Sequence, residues 1–149
     1  MDMEAAVSLL TSADNKRAYQ ALKDLIAASE ESGAVYPYFE RFVQMMREPD
    51  NSYVRTRGLR LIAYNAKWDT ENKVNGVIHE YLSHIEDEKP ITARQCIKDT
   101  ALIARYKPEL IDSILAALEK IGRVYDESMQ SLVYKDRQKT IRQIRQYTW

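Results

Sequence analysis

The sequence predicts an all-α protein, and three observations favour that fold class. Apolar residues recur three and four positions apart along nearly the whole chain, which is the pattern of helices that each bury one stripe. The 149 residues include only four Gly and four Pro, too few to supply the turns of a many-stranded β fold. No window alternates cleanly between apolar and polar residues, as a half-buried strand would. We therefore expect a single helical domain that spans residues 1–149.

The apolar periodicity divides the chain into eight helical segments. They cover about residues 3–10, 14–31, 36–47, 52–68, 71–86, 90–106, 108–121 and 129–147. Pro37, Pro90 and Pro108 occupy expected first turns, where a fixed φ and a missing N–H group are tolerated. Ser12 and Ser52 are expected to cap helix starts by accepting hydrogen bonds from free backbone N–H groups.

An internal repeat relates the fourth segment to the sixth. When the sequence is shifted by 38 positions, Gly58 falls on Cys96 and Trp68 falls on Tyr106, with small, aliphatic and basic positions matching between them. The preceding segments match at nearly the same spacing, so about four helix pairs of about 37 residues fill the chain. One pair cannot bury its apolar stripe alone, and neighbouring pairs must therefore stack.

The segment Asp50–Ala63, which reads D-N-S-Y-V-R-T-R-G-L-R-L-I-A, resembles the signature of a HEAT repeat. That signature places an Asp before a Val-Arg pair and continues with small and aliphatic positions. Residues 87–104 repeat it more loosely. The resemblance implies a HEAT/armadillo-type α-solenoid of about four helix pairs, wound as a right-handed superhelix. It also implies that Asp50 and Arg55 form part of a ladder that links neighbouring repeats.

The chain is also similar, over nearly its full length, to a group of small bacterial proteins often labelled SufBD. The residues that carry this similarity are 51–62, N-A-K-W-D at 65–69, and 87–98. The similarity implies the HEAT-like fold but does not imply an activity.

Charge and cysteine content exclude several classes of function. Twenty-two basic residues balance 22 acidic ones, so the net charge of the protein does not favour binding to nucleic acid or to an anionic membrane. The single Cys96 excludes an intrachain disulfide and is expected to be a buried small hydrophobe in a reducing compartment. We find neither a secretory leader pattern nor an apolar run of about 20 residues, and therefore expect a cytoplasmic protein without membrane contact.

No catalytic constellation stands out in the sequence. His79 and His84 are five positions apart, which does not place both on one face of a helix as a metal pair requires. The glycines are scattered and do not form a phosphate loop, and no serine lies in a nucleophile-elbow pattern. We expect no metal and no cofactor, and we favour a protein that is not an enzyme.

Basic residues are concentrated on the second helix of each predicted pair, and these helices, with Lys107 directly after the third of them, hold 16 of the 22. In HEAT-like solenoids the second helices line the concave surface, so the resemblance implies a basic groove. The planar guanidinium group of Arg suits carboxylate or phosphate, and flat aromatic rings offer stacking surfaces. The predicted binding face consists of Tyr53, Arg57, Arg60, Tyr64, Lys67, Trp68, Arg94, Lys98, Arg105 and Tyr106.

Three functions fit this face, and the sequence favours the first. The favoured hypothesis is a scaffold that captures an acidic protein or peptide. The second is nucleic-acid binding, as in HEAT-like alkylpurine DNA glycosylases, with basic residues on phosphates and Trp68 or Tyr64 stacking near a lesion. The third is a structural or oligomer-forming module, whose cations complement helix C-termini and whose rings pack between helices.

Overall fold

The computed structural model describes residues 1–148, and within that range it contains helices and no β-strand. The predicted all-α class is therefore confirmed. The helices are α1 (Met3–Leu9), α2 (Asn15–Glu31), α3 (Phe39–Met46), α4 (Ser52–Tyr64), α5 (Lys73–Ser83), α6 (Pro90–Tyr106), α7 (Ile111–Glu119) and α8 (Glu127–Arg145). Each helix overlaps one predicted segment. No helix in residues 1–148 combines the length and the apolar character needed to cross a bilayer.

Short 3-10 turns extend four of these helices. They are Tyr36–Tyr38, Ala66–Trp68, His84–Glu86 and Pro108–Leu110. The sequence predicted these positions as ordinary helix, because a tightened turn keeps the same apolar spacing over so few residues.

Side chains that accept hydrogen bonds from backbone N–H groups fix several helix starts. Asp14 accepts from Lys16 and Arg17 at the start of α2, and Asn51 caps α4 in the same way. The predicted caps Ser12 and Ser52 are therefore wrong: Ser12 instead accepts from the N–H of Asp14, and Ser52 is already the first residue of α4.

The contacts divide the chain into two compact units, Met1–Glu71 and Asn72–Trp149, and each is described by itself. The single domain expected over residues 1–149 stays a prediction.

In the first unit, α1 packs on α2, α3 packs on α4, and α2 packs along α4. Gly58 allows α3 and α4 to approach closely. A Cβ atom there would lie 2.6 Å from the carbonyl oxygen of Phe42 and 2.7 Å from Cβ of Met45. Such contacts are too short for any side chain, so glycine at this position is a packing requirement.

In the second unit, α6 packs against α7, α8 and the turn His84–Glu86. Cys96 lies on α6 and is buried, as the sequence predicts, with its sulfur 3.7 Å from the carbonyl oxygen of Tyr81. Burial raises the pKa of the Cys96 thiol well above its usual range, with Asp99 as a weaker cause. A neutral, enclosed thiol of this kind contributes packing.

The two units share one internal register. In the first, Arg57 on α4 reaches Asn15 at the start of α2, and in the second, Arg94 on α6 reaches Asp136 on α8. Both pairs join residues 42 positions apart. The α2 helix therefore lies beside α4 in the first unit, and α6 lies beside α8 in the second.

Candidate binding faces of the two units

The α2 and α4 helices run alongside each other in the first unit. Arg57 Nη2 lies 3.0 Å from Asn15 Oδ1 near the start of both helices. Near their ends, Lys67 Nζ lies 3.0 Å from the carbonyl oxygen of Glu30. The exposed residues on this side of α2 therefore lie beside the exposed residues of α4.

Arg57 is a correction to the predicted binding face. The sequence places it on the solvent side of α4, but its exposed fraction is only 5%. Its guanidinium donates to the carbonyl oxygen of Leu10, at 2.8 Å, as well as to Asn15. Leu10 follows the last residue of α1, where carbonyl groups have no partner within the helix. Burial lowers the pKa of the guanidinium. Arg57 therefore caps α1 and is not available to a ligand.

Trp68 and Lys67 also have structural partners. Trp68 Nε1 donates to the carbonyl oxygen of Ser29 at 2.6 Å, and Lys67 donates to that of Glu30. Both carbonyls belong to the last turn of α2. The Trp68 ring lies beside Gly33, where a Cβ atom would be 3.6 Å from the nearest ring atom, an ordinary van der Waals contact. The predicted stacking residue Trp68 thus closes the end of a helix, although Lys67 remains exposed.

Cations and aromatic rings are paired on the exposed side of these helices. Lys23 Nζ lies 5.0 Å from the centre of the Tyr19 ring, and the Arg60 guanidinium lies 5.6 Å from that of Tyr64. Tyr19 and Tyr53 are 55% and 62% exposed. We define the α2/α4 face by these side chains, which are Tyr19, Lys23, Tyr53, Arg60, Tyr64 and Lys67.

Tyr19 and Lys23 were missed by the sequence reasoning. Their spacing of four positions on one side of a predicted helix was a usable signal. The missing information was which side of α2 borders α4, and the contacts of Asn15 and Glu30 supply it.

Arg55 has backbone carbonyl groups as partners. The side chain is buried and donates to the carbonyl oxygens of Glu48 and Pro49, at 3.2 and 3.4 Å. Asp50, the other residue of the implied ladder, is exposed. These contacts of Arg55 stabilise the turn between α3 and α4, within one helix pair. A link between repeats through Asp50 and Arg55 stays a prediction.

In the second unit, Arg94 forms an ion pair between α6 and α8. Its Nε atom lies 2.6 Å from Asp136 Oδ2, and both side chains are largely covered. Two other predicted residues of α6 are exposed, Lys98 and Arg105. The Arg105 guanidinium lies 5.3 Å from the centre of the Tyr106 ring.

The α8 helix adds three exposed cations that the predicted face did not include, Lys135, Lys139 and Arg142. They lie at intervals of four and three along the exposed side of α8, where Val133, Thr140 and Ile144 are buried on the opposite side. We define the α6/α8 face as Lys98, Arg105, Lys135, Lys139 and Arg142.

Two other cations of α8 contact Glu119, the last residue of α7. Arg137 donates to the carbonyl oxygen of Glu119, at 3.3 Å, and Arg145 lies 2.7 Å from the Glu119 carboxylate. The contact of Arg137 repeats the arrangement of Arg57 at the end of α1.

Within residues 1–148 no group of three or more His, Cys, Asp or Glu side chains is arranged to hold a metal ion. His79 is exposed, and His84 Nδ1 lies 3.1 Å from Asp87 Oδ2. The two histidines therefore have separate surroundings.

No family model, no curated protein and no solved structure matches this chain. The HEAT-like and SufBD resemblances accordingly stay predictions.

Proposed function

We propose that this chain is a binding module without enzymatic activity, and that its α2/α4 face binds an acidic protein segment that also carries apolar side chains. The observation behind this proposal is the pairing of cations with rings: Lys23 beside Tyr19 and Arg60 beside Tyr64. Tyr53 lies more than half exposed on the same side of α4.

The pairing suits an acidic partner for two physical reasons. A cation that rests on a ring loses part of its freedom before binding, so less entropy is lost when a carboxylate arrives. The exposed parts of Tyr19 and Tyr53 supply contact area to apolar side chains of the partner, and Tyr is among the residues enriched at binding hot spots. Charge would steer the encounter and the rings would prolong it.

We also propose that the four helix pairs belong to one HEAT-like solenoid with a right-handed superhelix. The support is the repeat of 38 positions in the sequence, together with the register that both units share. An X-ray scattering profile of the full chain in solution tests this, because an elongated stack and two loosely tethered units give different radii of gyration.

The binding proposal is tested with three labelled peptides of equal length, in which Glu alternates with Leu, Glu with Ser, or Lys with Leu. We expect the Glu/Leu peptide to bind most tightly and the Lys/Leu peptide not to bind, as measured by fluorescence anisotropy. The double variant Lys23→Glu/Arg60→Glu should weaken Glu/Leu binding by about 10-fold or more. Tyr53→Ser should weaken Glu/Leu binding more than Glu/Ser binding.

The matched control is Lys98→Glu/Lys139→Glu, which reverses two charges on the other unit. Circular dichroism and thermal unfolding confirm that each variant is folded. The proposal fails if the double variant at Lys23 and Arg60 binds the Glu/Leu peptide as the wild type does, or if the control loses as much affinity.

A further inference from the structure

The α6/α8 face differs from the α2/α4 face in its chemistry. Its five cations are exposed, and none is paired with an acid among the residues that the structure describes. Two rings lie beside these cations: Tyr106, which is partly covered and has Arg105 over it, and Tyr134, which is 56% exposed and lines one cavity with Lys135. The face therefore carries more cations than rings.

The acids of these two helices do not neutralise the face. Asp99 is buried on α6 and accepts a hydrogen bond from Gln95 Nε2, at 3.1 Å. Asp136 is held by Arg94, at 2.6 Å. Glu127 lies in the first turn of α8, two turns before Lys135. The exposed cations thus repel one another where salt does not screen them, and a ligand of high negative charge density relieves that repulsion.

The spacing of the cations can be compared with that of phosphates. Lys98 and Arg105 are seven residues apart, as are Lys135 and Arg142, which is about 10.5 Å along each helix. Duplex nucleic acid carries one charge per about 1.7 Å of its axis, or about six phosphates over that length. Five cations on two adjacent helices approach this density.

We propose that the α6/α8 face binds the phosphate backbone of double-stranded nucleic acid without reading its sequence. A single strand is recognised largely by stacking of successive bases on aromatic rings, and of the two rings at this face only Tyr134 is more than half exposed. A backbone needs only cations at a suitable density, and lysine and arginine provide them. The proposal uses a different unit from the peptide proposal, so either can fail alone.

The experiment measures binding of a labelled duplex of mixed sequence by fluorescence anisotropy, from about 50 to 200 mM salt. We expect the affinity to fall steeply with salt. The variant Lys135→Gln/Lys139→Gln should reduce the slope of log K against log salt by about 1.8, since each phosphate contact contributes about 0.9.

The control Lys16→Gln/Arg17→Gln removes the same net charge from exposed positions of α2 that lie outside both faces, and it should leave the slope unchanged. Absence of duplex binding at the lowest salt, or equal slopes for the two variants, would overturn the proposal. Tighter binding of a single strand than of the duplex would overturn it as well. So would displacement of the duplex by polyglutamate at equal charge concentration, because a peptide-binding face would behave in that way.

Discussion

At the scale of single residues, Gly58 gives the sharpest packing test. We expect Gly58→Ala to lower the free energy of unfolding by about 1–3 kcal/mol, because the added methyl would overlap Phe42 and Met45 on α3. This loss outweighs the gain of up to about 1 kcal/mol that alanine brings to a helix interior. Urea unfolding followed by circular dichroism measures the difference.

Gly76 on α5 is the matched control for this prediction. A Cβ atom there would meet nothing within 4 Å. Gly76→Ala should therefore stabilise the protein by up to about 1 kcal/mol through helix propensity alone. If both substitutions change the free energy of unfolding in the same direction, the close approach of α3 and α4 at Gly58 is not the controlling factor.

Tyr125 should make the protein sensitive to alkaline pH. Its hydroxyl donates to the carbonyl oxygen of Asp87, at 2.5 Å, and burial is the main cause that raises its pKa to about 12. In the unfolded chain a tyrosine has a pKa of about 10. The folded state thus holds the proton more tightly, so this contribution to stability is complete below about pH 10 and is lost as the pH rises toward 12.

The measurement is the free energy of unfolding at several pH values up to 12 for the wild type and Tyr125→Phe. The variant should lose less stability over the alkaline range, because it has no hydroxyl to ionise. Tyr134→Phe, at a position that is 56% exposed, should follow the wild-type curve. Identical pH dependence in all three proteins would contradict the assignment to Tyr125.

At the scale of elements, the segment that follows α4 holds the end of α2. Trp68→Phe keeps most of the ring but removes the donor to the Ser29 carbonyl oxygen. Leaving that carbonyl unpaired should cost about 1–3 kcal/mol. Amide hydrogen exchange should then speed up in the last turn of α2, with α1 much less affected. Uniform acceleration through the first unit would show that the ring, and not the hydrogen bond, is the main contribution.

The helices themselves were predictable from the sequence, because each buries one apolar stripe with a regular period. The α6 helix, for example, begins at Pro90, as predicted. The ends of elements were less predictable. Asp14 caps α2 although Ser12 was expected, since two nearby polar residues compete for the same N–H groups and only the backbone path selects one.

The candidate site was predictable in composition but not in detail. The second helices do carry exposed cations, such as Lys98 and Arg105. Arg57, by contrast, lies at the edge of the solvent side of α4. Its burial depends on a contact with the end of α1, which is 47 positions away in sequence. Periodicity along one helix contains no information about a carbonyl group on another.

At the scale of the whole molecule, some basic residues of the second helices bind backbone carbonyl groups, and others form the exposed charged faces. Arg55, Arg57 and Lys67 donate to backbone carbonyl oxygens in the first unit, and Arg137 does so in the second. This set accounts for part of the basic excess without any ligand, through the partial negative charge of helix C-termini. Lys67 is also exposed and belongs to the α2/α4 face. The other cations of the two faces are balanced by acids elsewhere, since the formal net charge is zero at pH 7.

A neutral protein with separated charges should attract other copies of itself at low salt. We expect static light scattering near pH 7 to give a negative second virial coefficient at about 20 mM salt, which becomes less negative as salt screens the attraction. Lys135→Gln/Lys139→Gln should raise the low-salt value more than Lys16→Gln/Lys23→Gln does, although both variants carry the same net charge. A coefficient that becomes more negative with added salt would indicate apolar association instead, with the exposed Val124 and Tyr134 of the second unit as the first residues to substitute.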